Sequence, residues 1–171
     1  MKPVLDATAG NRMIWTNKNP PNVVFLDKER NLGIPPDLFA DNRYLPFRDN
    51  CFSCIIFDPP YSCSLPPWWN NPTPKRKPKG NTSSWYGKFK NSRDMVISLH
   101  KAQKKFQRVS NRLCFKWGEM EKTFFQIASI FTGGGWKIIQ QKEHRGKYKV
   151  GKVKTWWITM TLEVGMPTEG I

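Results

Sequence analysis

Short apolar runs, each closed by an acid, recur through the first third of the chain. Pro3-Val4-Leu5-Asp6 leads into Ala7-Thr8-Ala9-Gly10-Asn11-Arg12, small residues that let backbone approach a ligand closely. Asn22-Val23-Val24-Phe25-Leu26-Asp27 repeats the design with β-branched and aromatic residues. Pro36-Asp37-Leu38-Phe39-Ala40-Asp41 is a third piece of the same kind. Leu45 to Asn50 reads as a turn-rich connection into a strand over residues 52–57, which stops at Asp58-Pro59-Pro60-Tyr61. Proline lacks the ladder donor and fixes φ, so Pro59 and Pro60 end that strand and stiffen the turn behind it. Four strands with acids at their carboxyl ends (Asp6, Asp27, Asp41 and Asp58) predict a parallel sheet carrying all four on one edge.

The period changes downstream. Asn91-Ser92 can cap a helix running to about Val109, in which Met95, Leu99, Ala102, Phe106 and Val109 form one apolar stripe facing the sheet. Lys101, Lys104, Lys105 and Arg108 form a second stripe, either a solvated face or an extension of a phosphate track. Arg112 to Gly118 reads as a strand and Glu121 to Phe131 as a helix, broken by Gly133-Gly134-Gly135. Trp136 to Gln141 and Thr155 to Val164 read as two strands joined by a basic loop, Lys142 to Lys154. They most simply pair antiparallel at the end of the sheet. The predicted fold is α/β, with a mostly parallel central sheet and an antiparallel terminal strand pair, in a single domain spanning 1–171 without internal repeats.

Charge adds a partner to this picture. A formal net charge of +15 and a pI near 9.9 make a polyanion the first candidate, nucleic acid ahead of an anionic membrane surface. No acid occurs between Asp58 and Asp94, while Lys75, Arg76, Lys77, Lys79, Lys88, Lys90 and Arg93 accumulate there. With Trp85 and Tyr86 among them, the stretch at about 62–93 reads as a basic aromatic flap that binds phosphate and stacks on bases. A solvated, unstructured charged segment is the alternative. Cys51 and Cys54 have CxxC spacing, but no second pair completes a tetrahedral set, so buried thiols are expected and no metal. The chain has no 18-residue apolar run and enters its first strand directly after Met1-Lys2, which predicts neither signal peptide nor membrane span and a cytoplasmic location.

The acid-tipped edge suggests the chemistry. Open α/β sheets bind ligands at the carboxyl ends of their strands, and Asp27 follows the Gly10 loop at about the spacing that places an acid on ribose hydroxyls. The Asp58 carboxylate and Pro59 carbonyl, beside the Tyr61 ring, suit a planar group bearing an NH2. Asp58-Pro59-Pro60-Tyr61 resembles the DPPY motif of S-adenosylmethionine-dependent amino-methyltransferases. Val4 to Gly10, Val24 to Asp27 and Ala40 to Phe47 resemble, in order, that family's first three cofactor motifs, with Arg12 standing where members often carry glycine. The chain is also similar to compact stand-alone methyltransferases of phages and archaea.

The resemblance implies a Rossmann-like class I fold and S-adenosyl-L-methionine as cofactor. Asp6, Ala7, Thr8 and Gly10 would line the cofactor's methionine end. Asp27, with Lys28 beside it, would take the ribose hydroxyls, and Asp41 with Asn42 the adenine edge. Asp58 and Pro59 would hold the target amine, Pro60 would stiffen the turn, and Tyr61 would stack on the target base. The implied substrates are DNA adenine N6 or cytosine N4 first, then RNA adenine N6 or guanine N2. A nucleic-acid-binding subunit without catalysis is the rival. Target recognition would fall to Lys75, Arg76, Lys77, Trp85 and Tyr86 in the flap, to the 142–154 loop, or to a protein partner or second copy.

Overall fold

In every strand of the central sheet, alternate side chains face opposite ways, and here the two faces differ in kind. The computed structural model describes residues 1–63, 88–145 and 154–162. Among these, the strands are β1 (Val4–Asp6), β2 (Val23–Asp27), β3 (Leu38–Phe39), β4 (Cys54–Phe57), β5 (Arg112–Gly118), β6 (Trp136–Arg145) and β7 (Lys154–Leu162). The helices are α1 (Ser92–Val109) and α2 (Phe124–Thr132). One seven-stranded sheet runs β3-β2-β1-β4-β5-β7-β6. Pairing is parallel from β3 to β5 and antiparallel for β5–β7 and β7–β6, as the sequence predicts.

Ile55, Phe57, Leu113, Phe115, Trp117, Ile158 and Met160 project to one face and are almost fully buried. Helix α1 brings Met95, Leu99, Ala102, Phe106 and Val109 onto it, the predicted stripe. Helix α2 adds Phe124, Ile127, Ala128 and Phe131. Aromatic edges and faces lock the layer: Phe57 meets Phe106 edge-on at 4.8 Å, and Phe115 meets Phe131 at 4.7 Å. Both helices therefore lie on the same side of the sheet. The connections β1→β2, β2→β3 and β3→β4 contain no helix.

Several boundaries differ from the sequence reading, each for a local reason. Helix α2 starts at Phe124 rather than Glu121, because Thr123 caps it in a reciprocal box with Gln126. The third strand shrinks to Leu38–Phe39, since the Asp37 carboxylate accepts the Phe25 amide. Strand β4 begins at Cys54 because the amides of Phe52 and Ser53 bond elsewhere, to Val109 and Pro3. Lys142 to Arg145, assigned to the basic loop, continue strand β6 opposite Lys154 to Trp157; the rest of that loop lies outside the described residues. The cysteines, expected buried, are all half-buried. Arg108, placed in a basic stripe, instead holds the carbonyls of Leu45 and Phe47 and the carboxylate of Asp49, tying α1 to the connection before β4.

Because Phe115 is the ring where β4, Trp117 and α2 converge, Phe115→Ala should lose about 3–5 kcal/mol of unfolding free energy. Phe125→Ala, whose ring is 77% exposed, should stay within about 0.5 kcal/mol of the parent. Urea titration of both variants checks the contrast.

Candidate active site

Strand order reverses between β1 and β4, and a cavity of about 750 Å³ opens there at the strands' carboxyl ends. That volume lies within the roughly 300–1,000 Å³ of small-molecule sites. Its wall combines the Ala7 to Asn11 loop, Asp27 to Glu29, Ala40 to Arg43, Phe57 to Pro60, and Lys88, Phe89, Asp94, Ser98 and Leu99 around the start of α1. Five acids line it against three cations, Lys28, Arg43 and Lys88. In a chain of net charge +15, this is a local reversal of sign that favours a cationic ligand.

The loop after β1 is a run of turns, tied down in part by Arg12 and Asp6, neither of which lines the cavity. Gly10 adopts φ +47°, and its amide bonds Asp27 Oδ2 at 2.8 Å. Arg12 also sits in the left-handed region, at φ 56°. Its guanidinium is held by the Lys18 and Pro35 carbonyls and by Asn19 Oδ1, and lies 3.8 Å over the Phe25 ring. These contacts offset the cost of a non-glycine residue there, which is on the order of 1 kcal/mol. Asp6 is fully buried, accepting Trp15 Nε1 at 2.7 Å and the Thr8 amide at 3.1 Å. Burial pushes its carboxyl up to about 6, against the lowering effect of those two hydrogen bonds.

The other acids reach the cavity wall. Asp27 accepts the Gly10 and Glu29 amides, one on each oxygen, leaving lone pairs directed elsewhere. Asp41 is gripped by Arg43 through Nε at 2.9 Å and a terminal nitrogen at 2.6 Å. Burial would raise Asp41, but the Arg43 side chain, amide and charge outweigh it and hold the carboxyl below the ordinary value. Arg43 also donates to Ser98, and Ser98 to Asp94, so one polar chain joins the β3 loop to α1. The Asn42 side chain donates to the Ala7 carbonyl at 3.3 Å.

Asp58 stands where β4 ends. Its amide donates to Thr8 Oγ at 2.7 Å, its Oδ1 accepts the Tyr61 hydroxyl, and its Oδ2 accepts Lys116 Nζ at 2.8 Å. The Tyr61 ring is buried edge-on against Trp117 and lies over Gly118, where a Cβ would come within 2.5 Å of it. Expected to stack on a target base, Tyr61 is thus directed into the core and serves as a clamp on Asp58.

The structure gathers Ala7, Thr8, Gly10, Asp27, Lys28, Asp41, Asn42, Asp58, Pro59 and Pro60 around one cavity. Asp6 and Tyr61 stand behind its wall. Lys75, Arg76, Lys77, Trp85 and Tyr86 lie outside the described residues. Lys116, Arg43, Asp94 and Ser98 were missed. A lysine between Phe115 and Trp117 signals only a face change, and nothing local ties it to an aspartate 58 residues away.

No protein-family model matches this sequence, and no curated protein matches it. Among solved structures, the chain is similar to a candidate RNA methyltransferase from Pyrococcus horikoshii, at 12% identity and TM-score 0.51, over 93% of this chain and 73% of that one. It is also similar to M. jannaschii TYW2 in complex with AdoMet, at 14% identity and TM-score 0.48, over 93% and 68% of the two chains. A third is an rRNA methylase from Streptococcus thermophilus, at 16% identity and TM-score 0.48, over 94% and 87%. The first of these likenesses identifies the fold as the Rossmann-like class I methyltransferase fold.

Asp6 yields a pH prediction. Its folded value of about 6 exceeds the ordinary 3.8, so the folded state binds the proton more tightly. Its contribution to stability is therefore full below about pH 4 and is lost as pH rises through about 6, a swing of about 3 kcal/mol. The unfolding free energy of the parent minus that of Asp6→Asn, measured across that window, should fall as pH rises; a flat difference would remove the buried-acid assignment.

Proposed function

We propose that this chain transfers the methyl group of S-adenosylmethionine to an exocyclic amino group of a nucleic-acid base. The observation carrying the reading is the placement of Asp58 and the Pro59–Pro60 backbone on the rim of a net-acidic cavity at the sheet's switch point. The donor set suits the cofactor. Asp27 offers remaining lone pairs to ribose hydroxyls, the Ala7 to Gly10 backbone leaves room for the amino-acid end, and the excess of carboxylates favours a cation. When bound, the cofactor supplies an electrophilic methyl on a sulfonium.

An exocyclic amine is a poor nucleophile because its lone pair is delocalised into the ring. Asp58 and the Pro59 carbonyl are two hydrogen-bond acceptors for its N–H groups, and holding both favours the pyramidal nitrogen that frees the lone pair. With a thioether as the leaving group, the methylated nitrogen would then lose a proton to solvent. The Tyr61 hydroxyl and Lys116 ammonium each occupy one site on the carboxylate, which fixes its plane and leaves further lone pairs. Thr8 fixes the Asp58 backbone, so a cofactor-loop residue sets the position of the acceptor. Orientation of this kind can supply about 7–11 kcal/mol of such a barrier. A base in duplex would have to leave the stack, at a cost of a few kcal/mol.

In DNA the target amines are adenine N6 and cytosine N4, the leading pair; in RNA they are adenine N6 and guanine N2. Incubation with tritiated S-adenosylmethionine and separate DNA, RNA and protein pools, followed by nucleoside analysis, tests the reaction and identifies the base. Label only in protein would overturn the reading. Asp58→Ala should reduce methyl transfer about 100- to 1,000-fold, in line with loss of an aimed polar group at a reacting centre. Its calorimetric affinity for S-adenosylmethionine should stay close to the parent's. Equal loss of both would remove Asp58 from the amine-binding role.

A further inference from the structure

The face of the sheet opposite α1 and α2 is unlike the face the helices cover. Over β5, β7 and β6 it presents Arg112, Cys114, Lys116 and Gly118, then Thr155, Trp157, Thr159 and Thr161, then their partners on β6. No Asp or Glu and no Leu, Val, Phe or Met stands at these paired positions. Parallel and mixed sheets of doubly wound proteins are apolar on both sides because helices cover both. Here the alternation along β5 is exposed, buried, half-buried, buried, half-buried, and the apolar half of it points only at the helices. The face is polar by sequence and uncovered by any described helix.

We infer that this face is a docking surface for single-stranded nucleic acid flanking the target base. The inference rests on the nucleic-acid reading proposed above. Charge complementarity selects the occupant. Arg112 and Lys142 are exposed on it, Lys116 is half-buried at its edge, where it pairs with Asp58, and no acid stands at the paired positions of this face. Trp157 lies at the centre, its ring 5.7 Å from Lys116 Nζ. An aromatic plate among cations and threonine hydroxyls stacks an unpaired base and tracks its phosphates. Stacking on a ring of an open sheet face needs bases free of their own stack, which a single strand offers and a duplex does not. Lys116 bonds Asp58 at 2.8 Å, which makes the surface continuous with the candidate active site.

Fluorescence anisotropy of the full chain with a mixed-sequence, fluorescein-labelled single strand of about 20 nucleotides tests the surface. Arg112→Glu combined with Lys142→Glu should weaken binding at least about tenfold and make the log-affinity against log-salt slope less steep by about 1.4. Trp157→Thr should weaken it about tenfold through lost stacking. Lys101→Glu combined with Lys104→Glu applies the same charge change to the exposed side of α1 and should have the smaller effect. S-adenosylmethionine affinity, read by calorimetry, should stay within about twofold in both charge-reversed proteins, since none of the four residues changed lines the cavity. Equal weakening by the two double variants, or tighter binding of duplex than of single strand, would overturn the surface while leaving the methyl-transfer reading intact. Absence of any nucleic-acid binding by the parent would overturn both.

Discussion

Phe57, Phe106, Phe115 and Phe131 meet where β4, β5 and both helices converge, and the geometry of the site depends on that contact. Fully burying one such ring contributes roughly 1.5–3 kcal/mol, and edge-on or offset pairing adds about 0.5–1.5 kcal/mol for each pair. The seam fixes the carboxyl ends of β4 and β5 side by side. With Phe57 committed to the helix layer, the next residue, Asp58, turns to the other side, where Lys116 follows Phe115 by the same alternation. The ion pair at the site is thus a consequence of two adjacent phenylalanines being buried.

A second constraint is the lack of helices in the first three crossovers. Between β1 and β2 a crossover helix would shield one face of the sheet. In its place Arg12, Trp15 and Lys18 bond the turns to one another and to Asp6. The Arg12 side chain supplies tertiary ties of the kind a helix would supply, and its backbone accepts a left-handed conformation in exchange. Asp6 is the counterpart on the strand. Its charge is poorly solvated, but each of its oxygens accepts a hydrogen bond, from the Thr8 amide and from Trp15 Nε1.

One-sided helix packing also separates the charges of the molecule. Acids gather at the strand ends around the cavity, while cations spread over the surfaces beyond it. A cationic small molecule and a polyanionic macromolecule can then use adjoining regions without competing for the same field. Lys116 marks the border, sharing its ammonium between Asp58 and the aromatic face at Trp157.

Local pattern determined much of this. Acid-tipped apolar runs gave the parallel strands, four-and-three spacing gave α1 with its buried stripe, and Asp58-Pro59-Pro60 marked the cavity rim. Each is legible because it depends on neighbours within a few residues. The tertiary structure decided what depends on partners far along the chain. It turned Tyr61 inward, because Gly118 leaves room for its ring; it engaged Asp41 with Arg43, and it drew Arg108 from a basic stripe into the connection before β4. It also left the β5–β7–β6 part of one sheet face without a described helix, through the placement of both helices on the other. Periodicity tells which residues share a face, but only the packing of distant elements determines which face is covered.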